Sequence, residues 1–306
     1  MLLFFFSCAS EPVVVEAGGK KRKRLDARID YGESLADIVL DSPDLIIPAY
    51  SERMHCYFLT YEGESVGITE GNGAQNPSYG HHVLPAITYV SEEDYPDGAL
   101  VDCTDQWVDA EPMIEVTELA GDGTFSFSFP LGLARKLESG QRIMVNSHHI
   151  NTTDTPIVVN DRIELYAIPI DEVEQFVAPF WHSPPNLDIP SGDVEIAHTC
   201  TLTEDLSFLW LMGHMHDLGV HFSVDYHKVN GTTERIYEVD DWDPVFRDVP
   251  PVNMYEIGEL NMTAGESITT TCSYFNPAED SVVFPEEMCT TIGVIYGLED
   301  AVECYE

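Results

Sequence analysis

Basic residues are scarce in this 306-residue chain: 14 Lys and Arg stand against 54 Asp and Glu, giving a net charge of −40. Nucleic-acid binding needs cationic side chains that displace counterions from phosphate, so that class of partner is excluded. An anionic membrane surface would repel the same body. A solvated surface accounts for the acidity, and its field also draws cations toward the protein. No run of about 18 uncharged apolar residues occurs, so no membrane span is expected in the body. A C-x-x-C pair is absent, as are a G-x-S-x-G elbow and a glycine-rich phosphate loop. Long helical periodicity is missing too, apart from a weak stretch over 131–137.

What is present is a globular composition, 44% apolar and 10% aromatic, with a length that suits one large core or two of about 100–150 residues. Seven cysteines allow three disulfides with Cys8 left over, which points to an oxidising, extracytoplasmic compartment. Residues 2–6 form an apolar run before Ser7-Cys8-Ala9-Ser10, like the tail of a secretory signal, with Cys8 as a candidate lipid anchor. Residues 1–27 read as this signal-like segment and a tether. Lys20-Lys21-Arg22-Lys23-Arg24 within it holds five of the fourteen basic residues.

Short apolar or alternating runs at 83–90, 124–129, 143–147, 162–168, 194–201, 207–211, 220–226 and 267–273 read as strands separated by Pro, Gly, Asn and Asp. Asn230-Gly231 predicts a hairpin turn. The fold class expected is all-β, with two tandem antiparallel jelly-roll or sandwich modules. A proline-rich join over 168–190 divides them into 28–170 and 171–306.

The chemistry-bearing residues are histidines. In Gly213-His214-Met215-His216, positions i and i+2 of a strand share a face, so His214 and His216 can grip one ion. Met288, beside Cys289, offers a soft thioether, and imidazole plus thioether favours copper, Cu(I) above all. His81 and His82 are adjacent, so one ion can take both only at a bulge, turn or strand end; Gly80 and Pro85 make that backbone plausible. In the third pair, His148 shares a face with Met144 and Asn146, and His149 with Val145 and Ser147; periodicity does not choose between them. Two metal sites are expected. The plain alternative is core and surface histidines with Met288 as core filler. His55, His182, His198, His221 and His227 read as surface or hydrogen-bonded core residues.

Gly80-His81-His82-Val83-Leu84, Met144-Val145-Asn146-Ser147-His148, His214-Met215-His216-Asp217-Leu218-Gly219 and Glu287-Met288-Cys289, in this order, resemble the copper type II, ascorbate-dependent monooxygenases, the family of peptidylglycine α-hydroxylating and dopamine β-monooxygenases. The similarity covers roughly 45–306. It implies two jelly-roll modules and disulfides Cys56–Cys103, Cys200–Cys304 and Cys272–Cys289. It implies an electron-transfer copper on His81, His82 and His148, and a catalytic copper on His214, His216 and Met288. Dioxygen, a small organic substrate and ascorbate or another one-electron donor follow from the same resemblance.

The sequence departs from the peptide-amidating members at the substrate. Met212 stands where they carry an arginine, Thr290 where they carry an asparagine, and Ile292 where they carry a tyrosine. Loss of that carboxylate clamp implies a less anionic substrate, with Trp210, Met212, Thr290 and Ile292 as candidate substrate-facing residues. The alternatives are an extracytoplasmic copper-binding protein without turnover, or a disulfide-rich structural β protein.

Overall fold

A computed structural model describes residues 24–104, 108, 110–113, 123–247, 249–284 and 286–304. The signal-like run, Cys8 and the basic residues up to Lys23 lie outside the described residues. The elements are strands and two short 3-10 turns, Ile170–Glu172 and Pro244–Arg247, with no α-helix among the described residues. None of these elements is a helix able to cross a membrane. All eight runs read from the sequence coincide with strands, although those at 83–90 and 124–129 outrun theirs, which end at Thr88 and Ser128. The Asn230-Gly231 turn joins Gly219–His227 to Thr233–Val239, with Gly231 at φ +85°, a conformation open to glycine.

In the first half a five-stranded sheet runs in the order Leu100–Asp102, Ser51–Thr60, Arg142–Asn151, Gly80–Thr88, Ala110–Pro112. It packs on part of a larger sheet through Tyr57, Ile68, Val83, Ile143, Val145 and Leu165. Met144 faces the other way, into a cluster with Cys56, Phe58, Ala86 and Cys103. The alternation of strand side chains therefore puts His148 on the outer face with Met144, and His149 on the core face with Val145.

In the second half Gly192–Thr201, Ser267–Asn276, Gly219–His227 and Thr233–Val239 form a four-stranded sheet. Ser267–Asn276 alternates partly buried and buried positions along most of its length, as expected of a sheet with one wet face. The core beneath it includes Phe180, Phe208, Phe222, Trp242, Tyr274 and Ile295.

One eleven-stranded sheet runs through both halves. The junction is Leu133–Leu137, which pairs antiparallel with Val66–Ala74 and parallel with Gln175–His182. This corrects the weak helical reading of 131–137. Both edges of the segment find strand partners, and Leu133 packs with Val177, Leu209 and Val294, so tertiary pairing overrides local propensity. Arg135, 3% exposed, donates from Nη1 to the carbonyls of Val177 at 3.3 Å and Glu299 at 2.9 Å. The two halves of the chain thus share hydrogen bonds as well as a linker.

Three disulfides, Cys56–Cys103, Cys200–Cys304 and Cys272–Cys289, span Cα–Cα distances of 5.9, 5.8 and 5.9 Å. Three such crosslinks in one chain suit an oxidising compartment.

Candidate metal centres

His81, His82 and His148 converge. One ring nitrogen from each lies within 4.8 Å of the others. The ring centroids stand 5.7, 4.7 and 4.9 Å apart. The backbone device is a β-bulge. His148 pairs with His82, but the next residue, His149, pairs with Gly80, so His81 is an extra residue opposite the joint. A bulge re-aims a side chain that regular pleating would send to the opposite face.

The hydrogen bonds select the ligand nitrogens. His148 Nε2 donates to Glu52 Oε1 at 2.7 Å, and His148 Nδ1 is buried with no hydrogen-bond partner. His82 Nε2 donates to Asn146 Oδ1 at 3.0 Å. In both rings the Nδ1 lone pair is left for another partner, the arrangement in which an outer carboxylate or amide orients a metal-binding imidazole. Burial, with the neighbouring imidazoles adding to it, depresses His82 and His148 to about 3. Both rings are therefore neutral at pH 7, as ligation requires.

His149 takes no part. Its Nε2 lies 3.0 Å from Asp161 Oδ1, both residues being fully buried on the core face.

The second centre forms at the end of Leu206–His214. His214 Nε2 and His216 Nε2 are 3.2 Å apart, with the rings edge to face. His216 lies beyond the strand, so pleating alone does not align it. Glu287, 1% exposed, holds the turn: its carboxylate accepts the backbone N–H of His216, that of Leu218 at 2.9 Å and that of Met288 at 3.1 Å. His216 Nδ1 donates to the Glu286 carbonyl at 2.9 Å, which leaves its Nε2 lone pair directed at His214. Burial lowers His214 to about 3, and the charges of His216 and Arg247 act in the same direction.

Met288 is partly buried, and its carbonyl accepts the Tyr274 hydroxyl at 2.6 Å. The Glu287 bridge and the Cys272–Cys289 disulfide fix its backbone beside His216. Arg247, at the end of its 3-10 turn, lowers both His148 and His214. One guanidinium therefore lies within electrostatic range of both centres.

The residues expected to face substrate separate. Thr290, directly opposite His214, lines a cleft of about 710 Å³ with Met288. Trp210 and Met212 line a different groove, of about 350 Å³. Ile292 is 6% exposed within the second core.

No family model matches this chain. No curated protein matches either. Among solved structures, the mosquito-larvicidal Cry4Aa toxin from Bacillus thuringiensis is similar at 8% identity and a TM-score of 0.15, over 80% of this chain and 58% of the toxin chain. A structure of the infectious bursal disease virus Gt strain is similar at 10% identity and a TM-score of 0.11, over 89% of this chain and 83% of that one. At these scores the likenesses carry no argument about fold or function.

Several groups at the centres have no sequence signature. Glu52 lies 96 positions from His148, and only strand pairing brings it there. Glu287 adjoins Met288 in sequence, and its burial is what distinguishes it from the many solvated carboxylates. His221, Glu238 and Asp240 form a third convergent group, partly to fully exposed. Arg235 already engages Glu238 there.

Proposed function

We propose that the protein is a dicopper monooxygenase. It would hydroxylate a C–H bond of a small organic substrate with dioxygen and two electrons from ascorbate or another one-electron donor. The balance is one oxygen atom to the substrate and one, with two protons and two electrons, to water. The observation that carries this reading is the bulge-built triad of His81, His82 and His148, accompanied by a separate His214/His216 pair on the other sandwich. It also draws on the resemblance to the copper type II family, including the jelly-roll winding of its modules.

The donor sets fit copper. Three neutral imidazoles would hold one ion, and two imidazoles with the Met288 thioether the other. Bound copper supplies one-electron redox chemistry, each ion carrying one of the two electrons needed. The chain's residues do the rest. Glu52 and Asn146 fix the tautomers of His148 and His82. Glu287 locks the turn that carries His216. Thr290 connects the second centre to the cleft where a substrate would lie. The three disulfides support a secreted or surface-tethered location, with Cys8 as the candidate anchor.

The test is metal analysis combined with oxygen uptake. Two coppers per chain and reductant-dependent uptake are expected, together with a hydroxylated product detected in cell extract. His214→Ala should abolish product formation; if hydroxylation survives, the second centre is wrongly assigned. Met212, Thr290 and Ile292, standing where the family carries substrate residues, favour one rival: copper capture without turnover. Full copper loading without oxidation of any compound would establish that rival.

A further inference from the structure

The cleft beside Met288 has a composition of its own. About 710 Å³ is a usual size for a small-molecule site. Its walls include Trp181, Pro184, Pro185, Leu187, Phe284 and Met288. Ser183 and Thr290 supply hydroxyls, and Ser183 Oγ donates to Thr290 Oγ1 at 2.9 Å. Its described lining residues include no Lys, Arg or His, and Glu303 is the only charged one. The mouth is apolar: Val283 is 44% and Phe284 51% exposed. Ala110, from the first half, closes one side.

We infer that this cleft binds an uncharged, ring-bearing hydrophobic molecule and rejects carboxylates, which deepens the monooxygenase reading by naming its substrate class. Aromatic and proline walls reward burial of flat apolar surface. A carboxylate entering would lose hydration with no cationic side chain among the described lining residues to receive it, and would meet Glu303 within a body of charge −40. Met288 and Thr290, the strand partner of His214, connect the cleft to the second centre, whose histidines do not line it. Phe284 and Trp181 are then specificity-determining residues that no motif indicates.

The experiment titrates the full chain with two fluorescent probes built on the same rings: neutral N-phenyl-1-naphthylamine and the anionic 8-anilinonaphthalene-1-sulfonate. The neutral probe should bind saturably, at least ~10-fold tighter than the sulfonate. Phe284→Ala, at a half-exposed position, should weaken the neutral probe by ~10-fold. Glu303→Gln should narrow the gap between the two probes. Equal affinities, or a neutral-probe affinity unmoved by Phe284→Ala, would overturn the inference. Copper content is measured on the same samples. Probe binding without copper supports the cleft and sinks the metal reading, whereas copper without probe binding does the reverse.

Discussion

The two histidine centres are built by opposite means. The first draws all three rings from neighbouring strands of one sheet, where a bulge turns His81 toward His82 and His148. Its order comes from the ladder itself. The second has one ring at the last strand residue and one beyond it, and depends on the buried Glu287 carboxylate, some 70 positions away, to hold the turn. A centre within a ladder is held by the strand pairing itself. A centre on a braced turn beside a cleft can keep room for a reacting partner. That contrast suits a division between electron storage and substrate chemistry.

Removing a triad ring should have the largest effect. With His148→Ala, copper analysis should read one equivalent lost of two, and reductant-dependent oxygen uptake should fall by ~100-fold or more. The second centre should keep its metal; loss of both coppers would mean the two are not independent.

Glu287→Gln tests the brace. It weakens charge-assisted bonds to three backbone N–H groups, so chemical denaturation should report a loss of roughly 2–4 kcal/mol. Copper should fall at the second centre and stay at the first. An unchanged second centre would show that the turn holds without its carboxylate.

Glu52→Gln is the milder counterpart. Glu52 is half-exposed and orients His148. Copper affinity of the triad should fall ~10-fold by competition titration, with little change in unfolding midpoint. A stability loss equal to that of Glu287→Gln would erase the distinction drawn here.

Acid should weaken both halves with the same sign. Burial depresses His82 and His148 in one half to about 3, and His182 and His198 in the other to about 3 and 4, from an ordinary 6.5. The unfolded chain takes up protons first, so stability present above about 6.5 is lost as pH falls toward 3–4. The urea midpoint of the metal-free protein should drop steadily from pH 7 to 5, and His198→Gln should flatten the slope. A midpoint independent of pH would contradict this.

Much of the architecture was legible because strand alternation and turn residues are local signals. All eight expected strands and the Asn230-Gly231 turn appear where patterning puts them. The 131–137 stretch was misleading because its partners lie more than 30 residues away on either side. His148 and His149 were indistinguishable by period, and became distinct once Val145 was seen to pack in the core and Met144 outside it. Trp210 and Met212, plausible neighbours of His214 by sequence, line another groove because the Thr290 side of the second centre forms the cleft.

The sequence by itself determined the strand content, the acidic surface and the supply of imidazole, thioether and thiol, since these depend on residue type and short-range spacing. Only the tertiary structure decided that an extra residue at the His148–His149 joint gathers three rings, that Glu287 is buried under the His216 turn, and that one sheet runs through both halves of the chain. Those outcomes depend on which distant backbones exchange hydrogen bonds, a choice made by burying two cores at once, and no local pattern encodes it.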